Sequence, residues 1–121
     1  MGERFDTSRP IYAQIVERLK AKILAGVYPP GGHLDSVRDL AAAAGVNPNT
    51  MQRALAELER TGLVYTQRTA GRFVTEDAAV IDSAKQELAH QQVGAFLRRM
   101  ERMGYDREQA AQLVRSWKEE A

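Results

Sequence analysis

Two helix-start signals separated by one short turn constrain the fold more than any other feature of the sequence. Ser36 opens a variant capping box, with Asp39 in the position where Glu or Gln is usual, and Gly45 ends the short helix that follows. Two residues later, Asn47 is a favourable N-cap and Pro48 is suited to the first helical position. Because only a glycine-centred turn separates the two helices, the pattern predicts a helix-turn-helix.

The segments on either side predict the winged form of this motif. Residues 7–10 are typical of a helix start with a hydroxyl cap, and apolar positions at helical spacing follow as far as Gly26. After the second helix, residues 63–67 have a β-rich composition, residues 69–71 are suited to a turn, and residues 72–75 are suited to a return strand. We therefore expect a β-hairpin, the wing, directly after the helix-turn-helix.

The C-terminal part of the chain predicts two further helices. We expect residues 1–76 to form the winged domain and residues 77–121 to form a helical dimerisation tail. A long helix is predicted over 77–103, Gly104 ends it, and Asp106 opens a last helix with a capping box. An inward apolar stripe is expected on that last helix at Ala110, Leu113, Val114 and Trp117. The side chains expected to pack against a twin subunit are Leu88, Phe96, Met100, Leu113 and Trp117.

The predicted fold class is therefore mainly α with a small β-hairpin, an N-terminal winged helix-turn-helix followed by a C-terminal two-helix dimerisation element. Composition excludes several other classes of protein. The chain has no cysteine, which removes disulfides, thiolate nucleophiles and Cys-ligated zinc. No apolar run approaches the roughly 20 residues that a membrane-spanning helix needs, so we expect no membrane partner and a cytoplasmic location.

No catalytic or metal-binding arrangement is recognisable as a motif. We find no nucleophile with a base and an orienting group, no Gly-rich phosphate loop and no paired carboxylates, and we expect neither enzyme activity nor a cofactor. His33 and Asp35 lie two residues apart, but two ligands without a further His or Cys nearby fall short of a metal site.

The second helix of the motif has two unlike faces. Apolar residues at helical spacing are expected to face the core, namely Met51, Leu55 and Leu58. On the outward side then lie Asn49, Arg53, Ala56 and Arg60. We expect Asn49, Gln52 and Arg53 to read base edges in a major groove, because amides suit adenine edges and guanidinium groups suit guanine edges. Because the net charge of the chain is only +1, binding to DNA has to depend on such local placement.

Over about residues 9–75 the sequence resembles the GntR family of bacterial transcription regulators. The residues that carry the resemblance are 10–15, Gly26, 34–41, 45–50, 54–59, Gly62, Leu63 and 71–74. The short tail, with residues 103–108 before a terminal helix, is similar to the YtrA subfamily, and this resemblance implies a tail that serves chiefly for dimerisation. Several ordered motifs at family spacing make the resemblance more specific than any one motif alone.

The resemblance also implies roles for individual polar residues. Arg38 matches a family arginine that contacts DNA. Asn47 and Thr50 take phosphate-side or base-adjacent positions, while Arg68 and Arg72 flank the wing tip and are placed to enter a minor groove.

Three positions depart from the family pattern. Asp35 stands where proline is usual and adds a negative charge near the DNA side, and Thr69 stands where the first wing glycine is usual. Pro48 replaces a residue that is often basic, so one expected DNA contact is missing.

Together these features predict a sequence-specific transcription regulator, most simply a repressor, that binds double-stranded operator DNA as a homodimer. The symmetry of a homodimer implies an inverted repeat whose half-sites are about one helical turn apart or at a related spacing. Two alternatives stay open at this stage. One is a winged helix that uses its outward face to bind protein, and the other is a ligand-sensing protein with a small-molecule effector site in its tail.

Overall fold

The computed structural model describes residues 4–120, which contain five helices and one two-stranded antiparallel hairpin. In chain order the elements are α1 (Ile11–Leu24), α2 (Val37–Ala44), α3 (Pro48–Arg60), β1 (Val64–Gln67), β2 (Gly71–Val74), α4 (Ala78–Arg102) and α5 (Arg107–Ser116). This order confirms the expected fold class, mainly α with a small hairpin that follows a helix-turn-helix. Among the described residues, none of the helices combines the length and apolar character needed to cross a bilayer.

The chain divides into two compact units, the first ending at Ala84 and the second beginning at Lys85. The largest fully buried side chains of the first unit are Leu34, Met51, Leu55, Leu58, Leu63, Val64 and Val74. The start of α4 belongs to this unit, because Val80, Ile81 and Ala84 pack against the same core. The first unit therefore extends past residue 76 into α4.

The helix-turn-helix is fixed by the local signals that the sequence carries. The Ser36 hydroxyl accepts a hydrogen bond from the Asp39 backbone N–H at 3.1 Å, and Gly45 ends α2 with φ at 71°. The side-chain oxygen of Asn47 accepts a hydrogen bond from the Asn49 backbone N–H at 2.7 Å. These caps satisfy backbone groups that a helix end leaves unpaired, and they confirm where α2 and α3 begin.

The start of α1 differs from the sequence prediction, because no hydroxyl caps it. Pro10 takes the N-cap position without a side-chain hydrogen bond, and the Ser8 hydroxyl instead donates to Asp6 at 2.6 Å. Buried Gln14 ties the preceding segment to the helix. Its amide nitrogen donates to the backbone oxygens of Asp6 and Arg9 at 2.6 and 3.1 Å, and its oxygen accepts from the Asp6 N–H at 2.8 Å.

The loop before α2 pairs with the outer edge of β2 and extends the wing. The Gly31 N–H donates to the Val74 carbonyl at 2.9 Å, and the Val74 N–H donates to the Gly32 carbonyl at 2.9 Å. The Leu34 N–H donates to the Arg72 carbonyl, also at 2.9 Å. These bonds satisfy β2 on both sides and hold the hairpin on the first unit.

The wing turn requires glycine at residue 71 and does not require it at residue 69. Gly71 has φ at +100°, and a Cβ added there would lie 2.7 Å from Nε2 of His33. Thr69, like every other non-glycine residue that the structure describes, keeps a negative φ. The departure from the family pattern at Thr69 therefore imposes no backbone strain.

The second unit contains most of α4 and all of α5, and little of it is buried. The expected capping box is present, with Asp106 accepting from the Gln109 N–H at 2.8 Å and the Gln109 side chain accepting from the Asp106 N–H at 2.9 Å. The prediction of an inward stripe on α5 is confirmed only at Ala110, which is buried. It is wrong within this chain for three side chains that are exposed, Leu113, Val114 and Trp117. The reason is that the short helix has too few apolar partners in its own chain to cover them.

Candidate nucleic-acid interface

The amphipathic character of α3 separates a buried face from a bare polar face. The side chains of the inward face are at most 2% exposed, namely Met51, Ala54, Leu55 and Leu58. The opposite face carries the exposed residues Asn49, Gln52, Arg53 and Ala56. The division of α3 predicted from helical spacing is confirmed, so its first half presents amide and guanidinium groups to solvent.

The three residues predicted to read bases share this exposed face but differ in the contacts that their side chains make with the rest of the protein. Arg53 lies on the side nearer α1, where its guanidinium carbon is 3.8 Å from the centroid of the Tyr12 ring. Asn49 contributes its backbone N–H to the cap of α3, which leaves its exposed side-chain amide free for other partners. Gln52 lies toward the opposite flank and is exposed.

The remaining helix residues assigned to DNA lie in the first turns of α2 and α3. Arg38 is exposed, and no carboxylate among the described residues comes within ion-pair distance of it. Asn47 is exposed and uses its side-chain oxygen in the cap, whereas its amide N–H donors take no part in that cap. Thr50 is half-buried beside α1. Helix N-termini favour anions because their backbone N–H groups and dipoles point outward, which suits these positions to phosphate oxygens.

The two wing arginines are not equivalent in the structure. Arg68 is exposed at the end of β1, and none of the described carboxylates pairs with it. Arg72 has a side chain that is only 19% exposed, and its Nε donates to Oε1 of Glu59 on α3 at 2.8 Å. Arg72 therefore braces the wing against α3, whereas Arg68 remains the wing cation available to a groove.

Glu59 is a residue that sequence reasoning missed. Its carboxylate accepts hydrogen bonds from the Thr66 hydroxyl on β1 and from Arg72 on β2. These two bonds lower the pKa of Glu59 below its usual value, and the bond from Thr66 has the larger effect. Burial of the carboxylate raises the pKa but does not cancel this lowering. No local sequence pattern predicts these two contacts, because Thr66 and Arg72 lie seven and thirteen residues from Glu59 in the chain. Glu59 thereby links α3 to both strands of the wing.

We predict that Glu59→Gln loosens the wing at neutral pH. The variant keeps an acceptor oxygen but loses the charge, and we expect a cost of up to about 1 kcal/mol in the free energy of unfolding, as for a partly exposed ion pair. Because the folded pKa of Glu59 lies below the unfolded value near 4.5, its contribution is present above that pH and is lost as pH falls through the folded pKa. Urea unfolding at pH 7 and pH 3 should therefore show a difference between variant and wild type that shrinks in acid.

Glu57→Gln is the matched control for this prediction. Glu57 pairs with Arg60 on the surface of the same helix, with one N–O distance of 3.0 Å, and this hydrogen bond lowers the pKa of Glu57. The control should lose a similar surface pair but leave DNA affinity unchanged, because it does not touch the wing. Glu59→Gln should weaken DNA binding through the loosened wing, so equal effects of the two substitutions on DNA affinity would show that Glu59 does not position the wing.

An apolar groove lies within the second unit, between the end of α4 and α5. Its volume is about 650 Å³, and its lining residues are Phe96, Met100, Leu113, Val114, Ser116, Trp117 and Lys118. Trp117 is 71% exposed and Leu113 is 43% exposed, both large values for apolar side chains. Four of the residues predicted to mediate dimerisation meet here, while Leu88 is half-buried elsewhere on α4.

Comparison with known sequences places these features among bacterial regulators. The family profile described as "Bacterial regulatory proteins, gntR family" matches residues 11–74. The chain is 34% identical over 119 residues to the uncharacterized HTH-type transcriptional regulator YhcF of Bacillus subtilis, and the match covers 98% of each chain. It is 44% identical over 72 residues to the HTH-type transcriptional repressor YtrA of the same organism, covering 60% of this chain and 55% of YtrA.

Solved structures show the same relationship in three dimensions. A GntR family transcriptional regulator from Listeria monocytogenes superposes with a TM-score of 0.83 at 40% identity, covering 94% of this chain and 100% of that chain. The DNA-binding domain of AraR in complex with operator ORR3 superposes with a TM-score of 0.54 at 29% identity, covering 62% of this chain and 88% of that chain. The first of these similarities extends through the tail, and the second is confined to a shorter part of the chain.

Proposed function

Since the chain belongs to the gntR family of bacterial regulatory proteins, we propose that it is a YtrA-like repressor that binds an inverted-repeat operator as a homodimer. The observation that carries the proposal is the bare polar face of α3, next to a wing that is braced onto the same helix. A polar helix face in a winged helix-turn-helix is the element that enters a major groove. A relative in complex with its operator, the AraR domain, supports this use of the fold.

Base reading is assigned to the first half of α3. The carboxamides of Asn49 and Gln52 can each pair with the N6 and N7 edge of adenine, and the guanidinium of Arg53 can pair with O6 and N7 of guanine. All three side chains are exposed on one face, within two turns of helix. On this proposal α3 reads a short run of base pairs, while Arg68 extends from the wing toward the neighbouring minor groove.

Phosphate binding is assigned to the N-terminal turns of α2 and α3, with Arg38, Asn47 and Thr50. These contacts fix the register of α3 on the duplex and carry no sequence information of their own. Arg72 takes a structural role in this proposal, because its Nε already donates to Glu59. The modest net charge of +1 is compatible with this assignment, since the DNA-facing arginines lack carboxylate partners among the described residues.

We predict that Arg38→Ala weakens binding to all DNA sequences by a similar factor. The loss of one phosphate contact should reduce the slope of log affinity against log salt by about 0.9. Fluorescence anisotropy at several salt concentrations measures this slope for operator and for unrelated DNA. Arg98→Ala, which removes the same charge from the second unit, should leave the slope unchanged, and an equal change in both variants would remove Arg38 from the interface.

Dimerisation is assigned to the apolar groove of the second unit. Soluble monomers rarely leave large contiguous apolar patches uncovered, and the exposed Trp117 and Val114 border such a patch here. We propose that the same groove of a second copy of the chain covers this patch. Both helices of the tail carry apolar side chains, and homo-oligomers most often pair identical surfaces. Two α3 helices related by a twofold axis then match two half-sites of opposite orientation.

Selection of bound sequences from random DNA at two salt concentrations tests the proposed function. We expect enrichment of an inverted repeat, with affinity for it falling steeply as salt rises. Blocking of transcription by the bound protein follows if this operator overlaps a promoter, and a reporter assay measures it. Absence of enrichment, or binding that does not respond to salt, would contradict the assignment to DNA and favour a protein partner for the face of α3.

A further inference from the structure

Tyr12, in the first turn of α1, is the structural partner of the exposed arginine on α3. The guanidinium carbon of Arg53 lies 3.8 Å from the centroid of the Tyr12 ring, and the ring itself is half-buried. No carboxylate among the described residues is paired with Arg53, so the aromatic face is the contact that orients it. An arginine side chain has many rotamers, and a fixed partner narrows the range that its guanidinium explores.

An aromatic partner leaves the N–H donors of an arginine available for other hydrogen bonds, whereas a carboxylate partner engages them. Arg60 and Arg72 also arise from this region, but each donates hydrogen bonds to a glutamate, Glu57 and Glu59 respectively. A cation over an aromatic ring is held by the charge distribution of the ring face. This contact uses none of the N–H donors of the guanidinium group in a hydrogen bond. Arg53 is thus the arginine of α3 that is oriented by its own protein while its N–H groups remain without a protein acceptor.

The surroundings of the pair open toward solvent on the flank between α1 and α3. A recess of about 390 Å³ there is lined by Pro10, Ile11, Tyr12, Asn49, Thr50 and Arg53. Two residues assigned to base reading, Asn49 and Arg53, therefore border the same recess as Tyr12. A base edge that approaches the first half of α3 meets a guanidinium whose position the ring has already restricted.

We propose that Tyr12 is a positioning residue that holds the Arg53 guanidinium in the orientation in which it reads its base pair. This inference rests on the proposed function and deepens it. It assigns part of the sequence specificity to α1, a helix that need not touch a base edge. Preorganisation of a donor lowers the ordering cost at binding, so the effect of Tyr12 is confined to the base pair that Arg53 contacts.

The test compares Tyr12→Leu, which removes the ring face, with Tyr12→Phe, which keeps it. Affinities are measured for the selected operator and for operators changed at one base pair at a time. We expect Tyr12→Leu to lose about 3- to 10-fold in discrimination at the one position that Arg53→Ala also affects, and Tyr12→Phe to retain it. In the double variant Tyr12→Leu with Arg53→Ala, discrimination at that position should fall no further than in Arg53→Ala.

Several results would overturn the proposal. These are wild-type discrimination in Tyr12→Leu, equal losses in Tyr12→Phe and Tyr12→Leu, and additive losses in the double variant. If Tyr12→Leu does not fold, as judged by circular dichroism, Tyr12→Met replaces it as the variant without a ring.

A measurement without DNA separates this proposal from the proposed function. In the free protein, the Arg53 side-chain protons should show an upfield ring-current shift that persists in Tyr12→Phe and disappears in Tyr12→Leu. The absence of that shift in wild-type protein would overturn the positioning role whatever the DNA result. Failure of wild-type protein to select an operator, with the shift present, would instead overturn the proposed function.

Discussion

Replacing Phe96 and Leu113 together with glutamate is expected to convert the proposed dimer into a monomer and to weaken operator binding by about 10²- to 10⁴-fold, which is the gain that linked half-site contacts provide. Both side chains line the apolar groove of the second unit, where a twin subunit would have to bury the new carboxylates without a partner. When two linked subunits bind two half-sites, the second contact forms at a high effective concentration and raises the overall affinity for the operator. That gain in affinity is lost when the subunits separate. Analytical ultracentrifugation measures the dimer constant, and anisotropy measures the affinity for the full operator.

The matched control places the same two charges on the same two helices, outside the groove. Val93 is 55% exposed on α4 and Gln112 is exposed on α5, and neither lines the groove. The double variant Val93→Glu with Gln112→Glu should remain dimeric and bind the operator as wild type does. A dimer constant and affinity that stay unchanged in the groove variant would contradict the assignment of this surface to the twin subunit.

Point substitution is a better test of dimerisation than removal of the tail. A chain cut near Glu76 would lose Val80, Ile81 and Ala84, which pack against the core of the first unit. The loss of buried apolar contacts would lower the stability of the DNA-binding unit itself, so a weaker affinity would have two causes. The groove variants leave these three residues in place, and thermal unfolding of the first unit should be unaffected.

The parts of the fold that sequence predicted are those that local signals determine. Helix ends are set by contacts within a few residues at Ser36, Gly45, Asn47 and Asp106. Their roles can therefore be predicted without knowledge of the tertiary structure. The inward face of α3 follows from helical spacing alone. The wing is also predicted locally, because β-rich residues 63–67 and 72–75 flank a segment suited to a turn.

The parts that sequence did not predict depend on which surfaces meet. Glu59 and Arg72 are thirteen residues apart, and only the packing of the wing beside α3 makes them partners. Tyr12 and Arg53 come together because α1 packs against α3, and the spacing of residues within one helix does not predict that packing. The exposure of Trp117 is a related case, since spacing identifies an apolar stripe but does not say whether its own chain is large enough to cover it.

Arg53→Ala is expected to cost roughly 1 to 3 kcal/mol in binding to the preferred operator and to relax the preference at one base pair in each half-site. The physical reason is the loss of the proposed bidentate contact between the guanidinium group and one guanine, which other base pairs do not offer in the same geometry. Arg60→Ala is the matched control, because Arg60 lies near the C-terminal end of the same helix and already donates to Glu57.

Selections from random DNA with wild type and both variants provide the measurement. We expect one position of the profile to become degenerate in Arg53→Ala, while Arg60→Ala gives the wild-type profile. Arg53→Lys separates charge from geometry, since an ammonium group keeps the charge but lacks the planar pair of donors. It should retain most of the non-specific affinity and lose the base preference. Profiles that cannot be distinguished between wild type and Arg53→Ala would remove Arg53 from the readers, and the assignment of specificity would then fall to Asn49 and Gln52.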